Sequence, residues 1–368
     1  MKVPFVDLKA QYLSIKEDID RAIQTIMDDM FFIEGKRVTQ FEEDFASYLG
    51  GGQCVGCSHG TDALMIALLA AEIGQGDEVI VPALSWISTA TAVSRVGAVP
   101  VFVDIDPISY CIDTHQTEKK ITPKTKAIIP VHLYGQLADM EAILSIAKKH
   151  RLFVLEDAAQ AHGAALNEKK AGTFGNASIF SFYPVKTLGA FGDAGCVFSN
   201  DSIYMEKVRL IAKQGQKEVR GIHHAMGMNS RMDSLQAAVL SAKLPYLDRW
   251  VESRIEKAKR YNDLLAGLAI QLPEIPREKE HSIHLYVIRI PEKREALRAF
   301  LATKGIETMV HYPLSLPLQP VYQSLGFSES DFPVASQVTK EILSLPLYPE
   351  ISEEMQVYVA EEIRAFFK

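Results

Sequence analysis

The chain has 368 residues, 48% hydrophobic and 23% charged, and carries a formal net charge of −7 from 46 acidic and 39 basic side chains. This composition excludes a disordered or fibrous protein and supplies enough apolar material for a large core, in two or three domains or one large α/β domain with a smaller companion. The acidic balance without a long basic run argues against nucleic acid as the main partner, and no stretch of about 18 uncharged apolar residues marks a membrane span.

The opening MKVPFVDLKAQY turns polar too early for a signal peptide, which predicts a cytoplasmic protein. Residues 14–30 have helical periodicity, and QFEEDFASYLG at 40–50 predicts a second short helix. An alternation then begins. CVGCS reads as a strand and TDALMIALLAAEI as a helix; DEVIVP as a strand and WISTATAVSRVG as a helix. VPVFVDI and KAIIPVHLYG are further strands, DMEAILSIAKKH a helix and RLFVLED a strand. Continuous apolar strands separated by helices predict an α/β fold with a mostly parallel sheet covered on both faces. Ligands of such sheets bind at the carboxyl ends of the strands, and His59, Trp86, His132 and Asp157 fall at or just past those ends.

Further on, GCVFSN predicts a strand and SIYMEKVRLIAKQG a helix, and residues 233–268 predict one long helix or two bent near Pro245. From about residue 270 the pattern changes: HLYVIRI is a strand, REALRAFLATKG a helix, HYPLSLPLQPVYQ a Pro-rich loop, and VASQVTKEILSLP and SEEMQVYVAEEIRAFF are helices. The expected division is a large α/β domain over 1–245 and a smaller α+β domain over 246–368.

Four cysteines fit a reducing compartment. Cys54 and Cys57 form a C-x-x-C, but no second ligand pair accompanies them for a zinc site; they read as buried structural cysteines, with redox chemistry as the alternative.

Chemistry concentrates in two segments, VLEDAAQAHGA at 154–164 and SFYPVKTLGAFGDAGCV at 181–197. Lys186–Thr187 superficially suggests a phosphate loop, but Val185 and Phe180 stand where that motif needs glycine. Lys186 therefore reads either as a surface lysine in a turn or as a partly buried amine, whose lowered pKa would suit it to Schiff-base chemistry. Asp157 is either a helix cap or an acid able to hold a pyridine nitrogen protonated. Gly60, Thr61 and Asp62 begin a helix whose N–H groups attract phosphate, or are an ordinary helix start. Trp86 is either core or a platform for an aromatic ring. A nicotinamide dehydrogenase is disfavoured, because no G-x-G-x-x-G follows the first strand.

In their order along the chain, these segments resemble the DegT/DnrJ/EryC1/StrS family of sugar aminotransferases dependent on pyridoxal 5′-phosphate (PLP). The resemblance spans VPFVDLKAQY at 3–12, HGTDAL, the two segments above, GMNSRMDSLQAA at 227–238, HLYVIR at 284–289, HYPLSLPLQPVY at 311–322 and SLPLYPE at 344–350. It implies the fold type I aspartate aminotransferase architecture, with Lys186 as the Schiff-base lysine and Asp157 as the partner of the pyridinium nitrogen. It further implies Trp86 on the ring, Gln160 near the phenolic oxygen, and Gly60, Thr61, Asp62 and Ser181 on the phosphate. Asn229 resembles the asparagine that reaches the phosphate from a neighbouring subunit, implying a homodimer. Tyr183, His311 and Tyr312 resemble residues lining the sugar-nucleotide pocket, and Arg231 is either a carboxylate or phosphate anchor or a structural ion pair. Two positions depart from the family pattern: His59 replaces Ser or Asn, and Thr187 replaces Asn. Lysine at 186 argues against the branch that uses histidine there for deoxygenation.

Tyr183 and the GDAG run at 192–195 are similar to members that aminate dTDP-linked 3-keto-6-deoxyhexoses, with L-glutamate as the implied donor. Members acting on 4-keto sugars more often have histidine at the tyrosine position. A 4-keto sugar aminotransferase is the alternative enzyme, and a cofactor-binding regulator without turnover the alternative of another class.

Overall fold

A computed structural model describes residues 1–217, 219, 221–276 and 281–368. In chain order the first elements are α1 (Leu8–Ser14), α2 (Lys16–Asp29), α3 (Lys36–Tyr48), β1 (Gln53–Cys57), α4 (Gly60–Ala70), β2 (Glu78–Pro82), α5 (Ser88–Arg95) and β3 (Val99–Val103). Next come α6 (Thr114–Thr117), β4 (Thr125–Ile128), α7 (Met140–His150), β5 (Phe153–Asp157), β6 (Ala165–Leu166), β7 (Lys169–Lys170), β8 (Ala177–Ser181) and β9 (Gly195–Ser199). The remainder are α8 (Ser202–Ala212), α9 (Ser234–Lys243), α10 (Leu247–Leu265), β10 (Tyr286–Arg289), α11 (Arg294–Thr303), α12 (Pro333–Glu341), β11 (Ile342–Leu345) and α13 (Glu353–Phe367).

The main sheet has seven strands in the order β1-β9-β8-β5-β4-β2-β3. β2 pairs parallel with β3 and β4, β4 with β5, and β5 with β8. β9 is antiparallel to both of its neighbours, so β1 runs with β8 and β9 alone is reversed. The consequence for function is direct: β1, β2, β5 and β8 all deliver their carboxyl ends to one edge.

Strand alternation feeds two cores. Val55, Cys57, Ile179 and Val197 pack into the cluster beneath α4, α5, α7 and α8. Cys54, Phe180, Cys196 and Phe198 face the opposite cluster with Phe41 and Phe45 of α3 and Ala237 and Leu240 of α9. Cys54 and Cys57 therefore sit on opposite faces of β1 and cannot act together. All four cysteines are free and buried.

Helix starts follow ordinary capping: the side chains of Asp139, Asp201 and Ser352 accept from the first turns of α7, α8 and α13. α4 is apolar almost all round because it is enclosed by sheet and helices, with Leu64, Ile66, Ala67 and Leu68 buried.

A third cluster unites β10 and β11 with α10, α11 and α13 around Tyr261, Tyr286, Leu301, Leu343 and Val359. The predicted division at 245/246 falls in the 3-10 turn Leu244–Tyr246. Two segments cross that division. Val3 packs into this third cluster, whereas Leu316, Tyr322, Phe332, Ala335 and Val338 join the first.

Two expectations are corrected. The helix expected over VASQVTKEILSLP ends at Glu341, and Ile342–Leu345 is a strand paired with β10. The strand expected over KAIIPVHLYG ends at Ile128, and Leu133–Gly135 forms a 3-10 turn after Pro130. Residues 14–30 are joined by a separate upstream helix, α1, with the break at Ile15. The central strand β8 has no counterpart in the sequence reading.

Candidate active site

At the carboxyl edge of the sheet lies a cavity of about 490 Å³. Ten of the predicted residues line it: Gly60, Thr61, Trp86, Asp157, Gln160, Ser181, Tyr183, Lys186, His311 and Tyr312. Each arrives there for a local reason.

The end of β1 runs into α4 through His59, whose Nδ1 accepts from the Asp62 amide (3.1 Å). This leaves the free N–H groups of the helix start, and its partial positive charge, at the cavity. Gly60 permits close contact with β8: a Cβ there would lie 2.8 Å from the Ser181 Cβ. Thr61 and Ser88 hydroxyls are 2.7 Å apart across the same corner. Backbone amides, a helix N-terminus and three hydroxyls form a cup suited to phosphate. Asp62 stands in the first turn without lining the cavity.

β5 ends at Asp157, which is 6% exposed. Thr89 of α5 donates to its Oδ2 (2.9 Å), and the Ala159 amide to its Oδ1 (3.2 Å). The Thr89 hydrogen is thus committed, so the Ser85 hydroxyl, 2.8 Å away, donates to Thr89 in turn. Burial pushes the Asp157 carboxyl up; the Thr89 and Ala159 bonds and the charge of Lys186 oppose that rise.

Lys186 occupies the loop between antiparallel β8 and β9. Phe182 N donates to Ala194 O (2.8 Å), Ala190 N to Phe182 O (2.7 Å) and Lys186 N to Tyr183 O (2.8 Å). These bonds close the loop like a hairpin and present a half-buried Lys186 side chain to the cavity. Its amine has no hydrogen-bond or ion-pair partner among the described residues. Burial brings its pKa down to about 8, with Asp157 pulling the other way. The lowered pKa raises its neutral, nucleophilic fraction near neutral pH.

Trp86 follows β2 and remains 58% exposed, its ring 5.7 Å from that of Tyr312. Gln160 accepts from Tyr134 N (2.7 Å) and donates to Tyr312 Oη (2.9 Å). Tyr134 Oη donates to the His311 carbonyl, which fastens the 311–312 segment to the sheet. His311 Nδ1 lies 2.9 Å from Ser344 Oγ, and burial lowers its pKa to about 4. Tyr183 and Val185 flank the mouth.

Asn229 and Arg231 are not brought to this cavity. Both are exposed, and Asn229 bridges to Lys213. Conversely, sequence reasoning missed Thr89, Ser85, Ser88 and His284. The serines and threonine lie in SWISTATA, an unusually hydroxyl-rich helix start directly after a strand, which was the available signal. His284 had a weaker one, a histidine at the head of an apolar strand; it is 6% exposed, with Nδ1 buried and unpartnered.

No group of three or more His, Cys, Asp or Glu among the described residues could hold a metal ion. No helix among them is long and apolar enough to cross a membrane. The arrangement instead fits a flat aromatic ring carrying a carbonyl, a basic nitrogen and a phosphate. The free amine of Lys186 would meet the carbonyl, the buried Asp157 the nitrogen, the α4 cup the phosphate and Trp86 the ring.

Residues 13–364 match the model of the DegT/DnrJ/EryC1/StrS aminotransferase family. A Geobacillus stearothermophilus protein called "Pleiotropic regulatory protein" is 50% identical over 100% of this chain and 99% of its own length. A UDP-N-acetyl-3-dehydro-alpha-D-glucosamine 3-aminotransferase of Acidithiobacillus ferrooxidans is 42% identical, covering 98% of this chain and 97% of its own. A dTDP-3-amino-3,6-dideoxy-alpha-D-galactopyranose transaminase of Aneurinibacillus thermoaerophilus is 42% identical, covering 99% of each. Among solved structures, DesV of S. venezuelae in complex with a ketimine intermediate superposes with a TM-score of 0.96 at 39% identity, covering 100% of this chain and 99% of that one.

Proposed function

The chain belongs to the DegT/DnrJ/EryC1/StrS aminotransferase family, and from that premise we propose that it moves an amino group from L-glutamate to a dTDP-linked 3-keto-6-deoxyhexose. The products are 2-oxoglutarate and the dTDP-3-amino-3,6-dideoxyhexose. The chain is a PLP-dependent aminotransferase of sugar nucleotides. The observation that carries the site assignment is the unpartnered, half-buried amine of Lys186 in one cavity with the buried Asp157.

When bound, PLP supplies an electron sink for the carbon that gains or loses the amino group. The chain's residues do the rest. Lys186 would hold the cofactor through its amine, and once released would carry the proton to and from the reacting carbon as general acid and base. Asp157 would face the ring nitrogen, kept in place by Thr89 and the Ala159 amide. Gly60, Thr61 and Ser181 would bind the phosphate at the α4 N-terminus, with Asp62 N–H held by His59. Trp86 would cover one ring face, and Gln160 has one amide hydrogen beyond its Tyr312 bond to offer the phenolic oxygen. Tyr183, His311 and Tyr312 would line the sugar-nucleotide side.

Two relatives bearing on the position of amination are both named for chemistry at C3, one dTDP-linked and one UDP-linked. Tyr183 at the cavity mouth supports the same position. Turnover assays with dTDP-linked 3-keto and 4-keto sugars and a UDP-linked 3-keto sugar, with NMR of the product, decide the carbon and the base. Preference for a 4-keto substrate would replace this reading with the alternative.

We also propose a homodimer in which Asn229 reaches the partner's phosphate cup and Arg231 its substrate. Both residues are exposed, and Met30, Phe31, Phe32 and Ile33 form an exposed apolar run on the same protomer. Sedimentation at micromolar concentration tests this; a stable monomer that binds PLP fully would refute it. A purely regulatory role is suggested by the name of the Geobacillus relative. The retained Lys186 and Asp157 weigh against it, since a sensor needs neither proton transfer nor an electron sink. Four free cysteines accord with the reducing cytoplasm proposed as its location.

A further inference from the structure

We infer that Lys243 and Gln236 of α9 are positioning residues for Lys186, gripping the 182–194 loop from behind so that its amine stays aimed into the cavity. The inference rests on the reading of Lys186 as the amine that holds the cofactor.

The two residues lie seven positions apart, two helical turns, on the face of α9 turned toward the loop. Lys243 is 0% exposed. Its Nζ donates to Gly189 O (2.7 Å) and to Gln11 Oε1 of α1 (3.0 Å), and lies 4.6 Å from the centre of the Phe191 ring. Gln236 Oε1 accepts from Phe191 N (2.8 Å). The carbonyl before Ala190 and the amide after it are thus both held by one helix. The stretch they hold is tight: a Cβ on Gly189 would come within 2.2 Å of Pro184 O. Lys186 sits on the arc between those two residues, its own amide bonded back to Tyr183.

A buried ammonium is costly to desolvate, and a methionine would fill the same space. What a methionine cannot do is bond the Gly189 carbonyl and the Gln11 amide together. The charge faces Glu350 at longer range, and no carboxylate among the described residues pairs with it directly. Its partners are the loop and α1, so its directed bonds serve loop geometry. Around Lys186 itself, Asp157 is the group that acts on its charge, and Lys186 in turn disfavours protonation of the buried His162, His284 and His311.

The test uses the full-length chain as wild type, Gln236→Leu, Lys243→Met and Gln236→Glu, the last keeping an acceptor for the Phe191 amide. With PLP stripped, the pH dependence of reductive methylation at Lys186 is read by peptide mass spectrometry. The wild-type midpoint is expected near about 8. In Gln236→Leu and Lys243→Met a loosened loop lets the amine reach solvent, and the midpoint moves up toward the ordinary lysine value. Reloaded with PLP, both lose about tenfold or more in kcat with KM for the keto sugar little changed. Gln236→Glu keeps the wild-type midpoint. Wild-type midpoints in folded Gln236→Leu and Lys243→Met overturn the inference, as does lower thermal stability with an unmoved midpoint, which would make the contacts structural only. If Lys243→Met does not fold, Gln236→Leu alone decides. A Lys186→Ala protein that turns over at the wild-type rate would instead sink the reading of Lys186.

Discussion

Lys186 and Lys243 stand on the two sides of one loop, and burial lowers both amines to about 8. Their surroundings are otherwise opposite. Lys243 is sealed from solvent and spends its donors on Gly189 and Gln11. Lys186 opens into the cavity with no bonded partner among the described residues and with Asp157 acting only through space. A lowered lysine pKa therefore does not by itself mark a reactive amine. The free donor and the space in front of it do, and Lys243 shows what the same shift looks like in an anchor.

Lys186→Ala breaks the contrast most severely. The purified protein should lose its yellow colour, and turnover should fall by about 10²–10⁴-fold, the range for loss of a general acid–base group. Lys243→Met should keep its colour. Next in size is Asp157→Asn, expected to cost about 10²–10³-fold in kcat because a preorganised charge aimed at the ring is gone. The same substitution sharpens the comparison by a pH shift. Asp157 raises the Lys186 pKa, so its removal should lower the Lys186 labelling midpoint below about 8 and leave Lys243 unaffected. Wild-type kcat with an unmoved midpoint would show that Asp157 neither faces the ring nor senses Lys186.

Thr89→Val should have a smaller effect, about tenfold in kcat, as expected for one hydrogen bond to a charged group. A loss equal to that of Asp157→Asn would mean that Thr89 touches substrate directly. The wild type itself supplies a test that needs no substitution. The rate of PLP recapture by the stripped protein should rise about tenfold per pH unit below about 8 and level off above it, since only the neutral amine attacks. A profile that stays flat from about pH 6 to about pH 9 would mean that the amine is not the attacking group.

Much of this was legible in the chain because strand and helix punctuation in α/β units is local. β1, β2, β3 and β5 read as apolar runs, and the ligand edge followed from their being parallel. β8 escaped because its ASIFS is followed directly by FYP, so that the aromatic run looked like loop; pairing with β5 and β9 makes it a strand. The tail of α12 failed for a similar reason: ILSL has no pattern that separates helix from strand, and β10 recruits it. In the cavity lining, Gly60, Thr61, Trp86, Asp157 and Lys186 could be singled out from their types and positions, and Gln160, Ser181, Tyr183, His311 and Tyr312 from the family resemblance. Thr89 and Gln236 could not, because a hydroxyl or amide on a helix acquires meaning only from what lies across from it: Asp157 in one case, the Phe191 amide in the other. Lys243 did leave a trace, a lysine within the otherwise apolar LQAAVLSAKL, but without the fold nothing says that Gly189 and Gln11 surround it.

We propose that, of two lysines with the same lowered pKa, the sealed Lys243 and the half-buried Lys186, only Lys186 takes the cofactor. Borohydride reduction of the PLP-loaded wild-type protein, followed by peptide mapping, tests it in one measurement. The pyridoxyl mass should appear on the peptide containing Lys186, at close to one equivalent per chain, and be absent from Lys243. A label on Lys243, or protein that binds PLP without any reducible bond to Lys186, would contradict it.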